Sequence, residues 1–126
     1  MNSAETGQAM GALPDFLRAI ALNNKLDESR DFATAVQTAM IDRVRKVNGG
    51  VKNLGVKQAP FVVLIGASLP SVLAEISFLT NKQDGALLKT PAYRQQIAQA
   101  LMDAVVNYQQ SLKRMNGIAG KKATQQ

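Results

Sequence analysis

A chain of 126 residues with 46% apolar content and a formal charge of +6 fits one small globular domain or part of a larger one. It contains no histidine and no cysteine. That composition excludes a disulfide framework and removes the usual nitrogen and sulfur ligands of a zinc site, together with the commonest general base near neutral pH.

Residues 1–12, with Gly7 and Gly11 among small and polar side chains, read as a flexible N-terminus. The first 25 residues lack the basic start, continuous apolar core and small-residue cleavage site of a signal peptide, so none is expected. From Leu13 to Leu22, Leu13, Phe16, Leu17, Ile20 and Ala21 recur at three- and four-residue spacing, which predicts a short helix with Pro14 in its first turn. Asn23-Asn24-Lys25 is expected to break it. Asp27 or Ser29 then caps a second helix whose apolar stripe is Phe32, Val36, Met40 and Val44, and Asn48-Gly49-Gly50 stops it.

Residues 51–59 form a basic polar connection, and the stretch from Lys52 to Gln58 reads either as a solvated loop or as a face toward an anionic glycan. Phe61 to Ile65 is apolar at every position, as expected of a strand covered on both faces, and Leu73 to Phe78 is a second such strand beyond the turn at Gly66 to Pro70. Asn81 to Gly85 leads into a short turn around Leu87 and Leu88. Thr90-Pro91 combines a capping hydroxyl with a first-turn proline and starts a helix that buries Tyr93, Ile97, Leu101, Ala104, Tyr108 and Leu112. Tyr93 and Tyr108 are read as core residues with hydroxyls near the rim. Residues 114–126 read as a flexible tail.

The order helix-helix-strand-strand-helix defines an α/β fold class, as part of an open sheet flanked by helices. Two strands do not make a stable open sheet, so the chain is expected to be one side of a larger domain or to pair with another chain, including a second copy of itself. No apolar run reaches the length of about 18 residues that a transmembrane segment needs. The basic residues favour polyanions in general. Without a basic helix stripe or interleaved aromatics, no specific nucleic acid is expected as a partner.

Glu75 is the residue to explain, because a carboxylate inside an apolar strand needs a partner or takes up a proton. Either it is structural, paired with a base such as Lys57 in the connecting loop, or it does chemistry. Asn81 caps the following turn or lies on the substrate side of a site.

Three segments together carry a family resemblance. They are Gly55-Val-Lys-Gln-Ala-Pro-Phe-Val-Val-Leu64, then Leu69-Pro-Ser-Val-Leu-Ala-Glu-Ile-Ser-Phe-Leu-Thr-Asn81, then Tyr93-Arg-Gln-Gln-Ile-Ala98 with Tyr108. The ordered series resembles the C-terminal half of the catalytic domain of zinc-dependent N-acetylmuramoyl-L-alanine amidases of bacterial cell walls. The upstream stretch Asp27-Glu-Ser-Arg-Asp-Phe-Ala33 is similar to the helix that precedes it there.

The resemblance implies hydrolysis of the amide between the lactyl group of peptidoglycan and L-alanine, in the cell envelope or periplasm. It assigns residues 13–113 to the C-terminal part of an amidase-like domain, and it places the family's catalytic glutamate at Glu75. It also implies zinc as the cofactor of the complete domain, held by two histidines and a glutamate that precede the matched region. None of those ligands matches a residue here, so this chain alone is expected to carry no zinc and to be inactive by itself. A metal-binding half of the domain is then an expected partner, as is peptidoglycan. The alternative is a non-catalytic protein that binds cell wall or a partner amidase.

Overall fold

The computed structural model describes the backbone of residues 3–123 and the side chains of residues 14–122. The outermost residues of the expected flexible ends, 1–2 and 124–126, lie outside the described residues. The elements are helix α1 (Ser3–Val44), a single 3-10 turn (Val62–Leu64), helix α2 (Lys82–Leu88) and helix α3 (Pro91–Ala123).

Helix α1 runs through both places where a boundary was expected. Pro14 lies inside it rather than at its first turn, and Asn23-Asn24-Lys25 does not interrupt it. Asn costs a helix only a few tenths of a kcal/mol relative to neighbouring residue types, so a polar triplet without Gly or Pro is a weak terminator. At the other end the helix stops at Val44, and the chain turns through residues 45–47 until the Asn48 N–H reaches the Val44 carbonyl at 2.8 Å. Beyond that turn the Asn48 Oδ1 accepts from the Gly50 N–H at 3.2 Å. Among the described residues positive φ occurs at Gly55 and Gly66, so Gly49 and Gly50 do not supply a left-handed cap.

The start of α3 follows the sequence signal. Thr90 Oγ1 accepts from the Tyr93 N–H at 3.3 Å, and Pro91 occupies the first helical position, where its missing N–H costs nothing. Helices α1 and α3 pack as an antiparallel hairpin. Arg43 near the end of α1 meets Asp103 in α3, and Phe32 stacks on Tyr108 with ring centroids 4.9 Å apart. Among the described residues the buried apolar ones are Val36, Ile41 and Val44 from α1 and Tyr93, Ile97, Ala100 and Ala104 from α3. The two alanines let the helix backbones approach closely. Leu112, expected on the buried stripe, is exposed.

The expected α/β class is overturned, since the described residues contain no strand and no sheet. Phe61 to Ile65 closes into the 3-10 turn through the bond from the Leu64 N–H to the Phe61 carbonyl at 2.9 Å. Residues 71–78 are irregular. The physical reason lies in what strand preference measures: β-branched and apolar residues favour strands by packing against neighbours on a pleated surface, and they impose no backbone conformation alone. Those neighbours are missing here. Val62 is 84% exposed, Val63 73% and Leu79 82%, while α1 and α3 are occupied with each other.

Candidate functional site

The segment around Glu75 is held at both ends by side chains. Upstream, the Ser71 N–H donates to Ser29 Oγ on α1 at 3.0 Å. Downstream, the Phe78 N–H reaches Asp84 Oδ2 on α2 at 3.4 Å. Asp84 is itself oriented, because its other oxygen accepts from Asn48 Nδ2 at 3.2 Å. Asn48 is only 2% exposed and its polar atoms are all engaged: Gln83 Nε2 donates to the same Oδ1 that takes the Gly50 N–H. A buried amide with a complete set of partners rigidifies its surroundings, which here are the end of α1 and the start of α2.

Between these tethers the side chains divide. Val72, Ala74 and Ser77 are half-buried, whereas Leu73, Glu75, Ile76 and Phe78 are exposed. Glu75 therefore does not sit in an apolar interior. Among the described residues it has no hydrogen-bond or ion-pair partner, and the pairing with Lys57 is not made.

Asn81 is the N-cap of α2, with Oδ1 accepting from the Asp84 N–H at 3.1 Å. It also lines an open depression of about 450 Å³ beside Leu79, Lys82, Leu88 and Lys89. Glu75 does not line that depression, so the structure does not bring the two sequence-derived site residues into one pocket.

Tyr108 stacks on Phe32 at the helix hairpin, and burial pushes its phenol above the ordinary value of 10.0, with smaller contributions from Glu28 and Asp31. Tyr93 is core as expected. Its hydroxyl is fully buried without a partner, rather than at the rim.

The sequence reading missed Ser29 as a tether and Asp84 as a bridge. The spacing Asn81-x-x-Asp84 was a usable signal, since an acidic side chain three residues after a capping residue is placed to reach back to the chain entering the helix. Nothing local signals the bond between Ser29 and Ser71, which joins residues far apart in sequence.

A zinc site is what the family resemblance implies for the complete domain. Among the described residues no group of three or more His, Cys, Asp or Glu converges, and the chain has neither of the two residue types that bind zinc most strongly. The residues present do not fit that metal. No helix among the described residues is long and apolar enough to cross a membrane.

Comparison with known proteins decides the family. The model of N-acetylmuramoyl-L-alanine amidase matches residues 1–107. The chain belongs to this amidase family.

Within this amidase family, a segment of 52 residues is 52% identical to N-acetylmuramoyl-L-alanine amidase AmiA of Escherichia coli K12, covering 41% of this chain and 18% of that protein. N-acetylmuramoyl-L-alanine amidase LytC of Bacillus subtilis 168 is 43% identical over 61 residues, or 48% of this chain and 12% of its own. An endolysin of Bacillus phage SPP1 is 33% identical over 84 residues, covering 67% of this chain and 30% of the endolysin. The chain thus matches less than a fifth of the length of these two bacterial relatives. No solved structure matches it.

Proposed function

We propose that this chain is the C-terminal portion of an N-acetylmuramoyl-L-alanine amidase catalytic domain, with Glu75 as its proton-transferring carboxylate. The substrate is the lactyl to L-alanine amide of peptidoglycan, met in the cell envelope or periplasm. The observation that carries this reading is the state of Glu75: it lies inside the family-matched residues, in a segment tethered at Ser71 and Phe78, exposed and without a partner of its own.

Hydrolysis of an amide requires that water lose a proton as its oxygen attacks the carbonyl carbon, and that the amine gain one as the carbon to nitrogen bond breaks. A single carboxylate within reach of both can accept the first proton and deliver the second, which balances the reaction without any net change in Glu75. Activation of the water and polarisation of the carbonyl are not supplied by this chain, whose residues do not fit a metal. The isolated chain is therefore inactive in this reading, and the zinc of the complete domain belongs to ligands contributed from elsewhere.

The test is reconstitution. Mixing the chain with the metal-binding part of a related amidase and supplying purified peptidoglycan should release stem peptides, and Glu75→Gln should abolish that release while leaving association intact. Association with no release would instead support the second reading, a non-catalytic protein that binds cell wall or a partner amidase. That reading draws on one specific observation, the exposed apolar side chains from Val62 to Leu79.

A further inference from the structure

We infer that Ser29 and Asp84 are positioning residues for Glu75, with Asn48 orienting Asp84. This inference rests on the proton-transfer reading of Glu75 given above.

The argument starts from the backbone of residues 71–78. The segment lies in no regular element, so its position is not set by a helical or sheet ladder; the N–H groups at its two ends, Ser71 and Phe78, donate to side chains of α1 and α2, and the Phe78 carbonyl accepts from the Asn81 N–H. An extended chain advances about 3.3 Å per residue, so free residues flanking a carboxylate would let its position wander by several ångströms. Such freedom is incompatible with proton transfer, which needs heavy atoms within about 3 Å of each other. Ser29 fixes the point four residues before Glu75, and Asp84 fixes the point three residues after it.

The two tethers differ in how they are supported. Ser29 is a half-buried residue inside α1, and its hydroxyl accepts from Ser71 rather than capping a helix. A mid-helix Ser contributes little to the helix itself, which leaves the contact to Ser71 as its distinguishing feature. Asp84 makes a longer contact to the Phe78 N–H, but Asn48 on its other oxygen and its place next to the Asn81 cap restrict its rotamer. The chain from Asn48 through Asp84 to Phe78 therefore connects the packed end of the helix hairpin to the Glu75 segment.

Amide hydrogen exchange on the full 126-residue chain tests this directly. Ser29→Ala should raise the exchange rate of the Ser71 amide about tenfold or more, and Asp84→Ala should do the same at Phe78, with Ile97 and Ala104 in α3 unchanged. Ser29→Thr, which keeps the hydroxyl, should restore the Ser71 rate. Unchanged exchange at Ser71 in Ser29→Ala, or equal exchange in the Ala and Thr variants, overturns the inference. If Asp84→Ala loosens α3 as well, the Ser29 comparison decides alone.

In the reconstituted mixture Ser29→Ala should lower kcat about tenfold at unchanged KM, because misplacing a reacting group by about 1 Å weakens the transition state more than substrate binding. A kcat equal to that of the parent chain overturns the positioning role. Turnover that survives Glu75→Gln defeats the proton-transfer reading instead, and the exchange pattern reports the tethers independently of it.

Discussion

Arg43 grips Asp103 with two nitrogens on one oxygen: Nε at 3.0 Å and a terminal guanidinium nitrogen at 2.7 Å. The other terminal nitrogen reaches Gln96 Oε1 at 3.2 Å, and Gln99 donates to the second oxygen of Asp103 at 3.1 Å. This cluster locks α1 onto α3 at the level where the core is thinnest in large side chains.

Hydrogen bonding from Arg43, then from Gln99, holds the Asp103 carboxyl below its ordinary value of 3.8 against a smaller opposing effect of burial. A depressed folded pKa means that the stabilisation is complete above the unfolded value and is lost as pH falls through the lower, folded one. Thermal midpoints of the parent chain should therefore fall more steeply than those of Asp103→Asn on acidification below about 4. Parallel acid profiles for the two proteins would show that the contact is not linked to folding.

Tyr93 is 3% exposed, and its hydroxyl has no partner among the described residues. Removing an unsatisfied buried donor relieves a desolvation cost of about 1 kcal/mol or more, so Tyr93→Phe should leave stability unchanged or raise it by about that amount. Tyr93→Ala should cost about 3 to 5 kcal/mol through the cavity it leaves. Urea denaturation of both variants separates the two effects. A loss of stability in Tyr93→Phe would reveal a hydroxyl partner.

Asn81 caps α2 through its side-chain oxygen. Asn81→Ala should lower stability by about 1 kcal/mol, and Asn81→Asp should retain the cap, since the accepting side-chain oxygen and its position are kept. Equal stability in the Ala variant, measured by chemical denaturation, would free Asn81 for a role toward substrate.

Val62, Val63, Ile65, Leu69, Phe78 and Leu79 are all more than half exposed. Large apolar side chains exposed in this number favour association. Sedimentation should show concentration-dependent self-association of the chain, reduced by Val63→Lys with Leu79→Lys while the helix hairpin keeps its circular dichroism. A monomer at all concentrations would count against that expectation.

Periodicity was a sound guide wherever burial is local. The stripe Tyr93, Ile97 and Ala104 and the start signal Thr90-Pro91 were legible, because a helix is specified by side chains three and four residues apart and by its own first turn. Ala100 and Ile41 escaped the reading. They are buried by the way α1 and α3 lie against each other, which a single helix does not encode.

The site divided in the same way. Glu75 stood out as a carboxylate in an apolar run, but its expected burial depended on neighbours that residues 61–79 do not find in this chain, and the structure leaves it exposed. Asn48 read as a helix stop, yet its more consequential property is the bond to Asp84.

By itself the sequence determined the stripe Tyr93, Ile97 and Ala104, the start signal Thr90-Pro91 and the absence of histidine and cysteine, since each of these depends on residue type and short spacing alone. The tertiary structure alone decided that the apolar segment would not become sheet, that Arg43 would meet Asp103, and that Ser29 and Asp84 would bracket Glu75. The contacts of Arg43 with Asp103 and of Ser29 with Ser71 join residues dozens of positions apart, and the energy of such contacts exists only once the helix hairpin has brought their partners within reach.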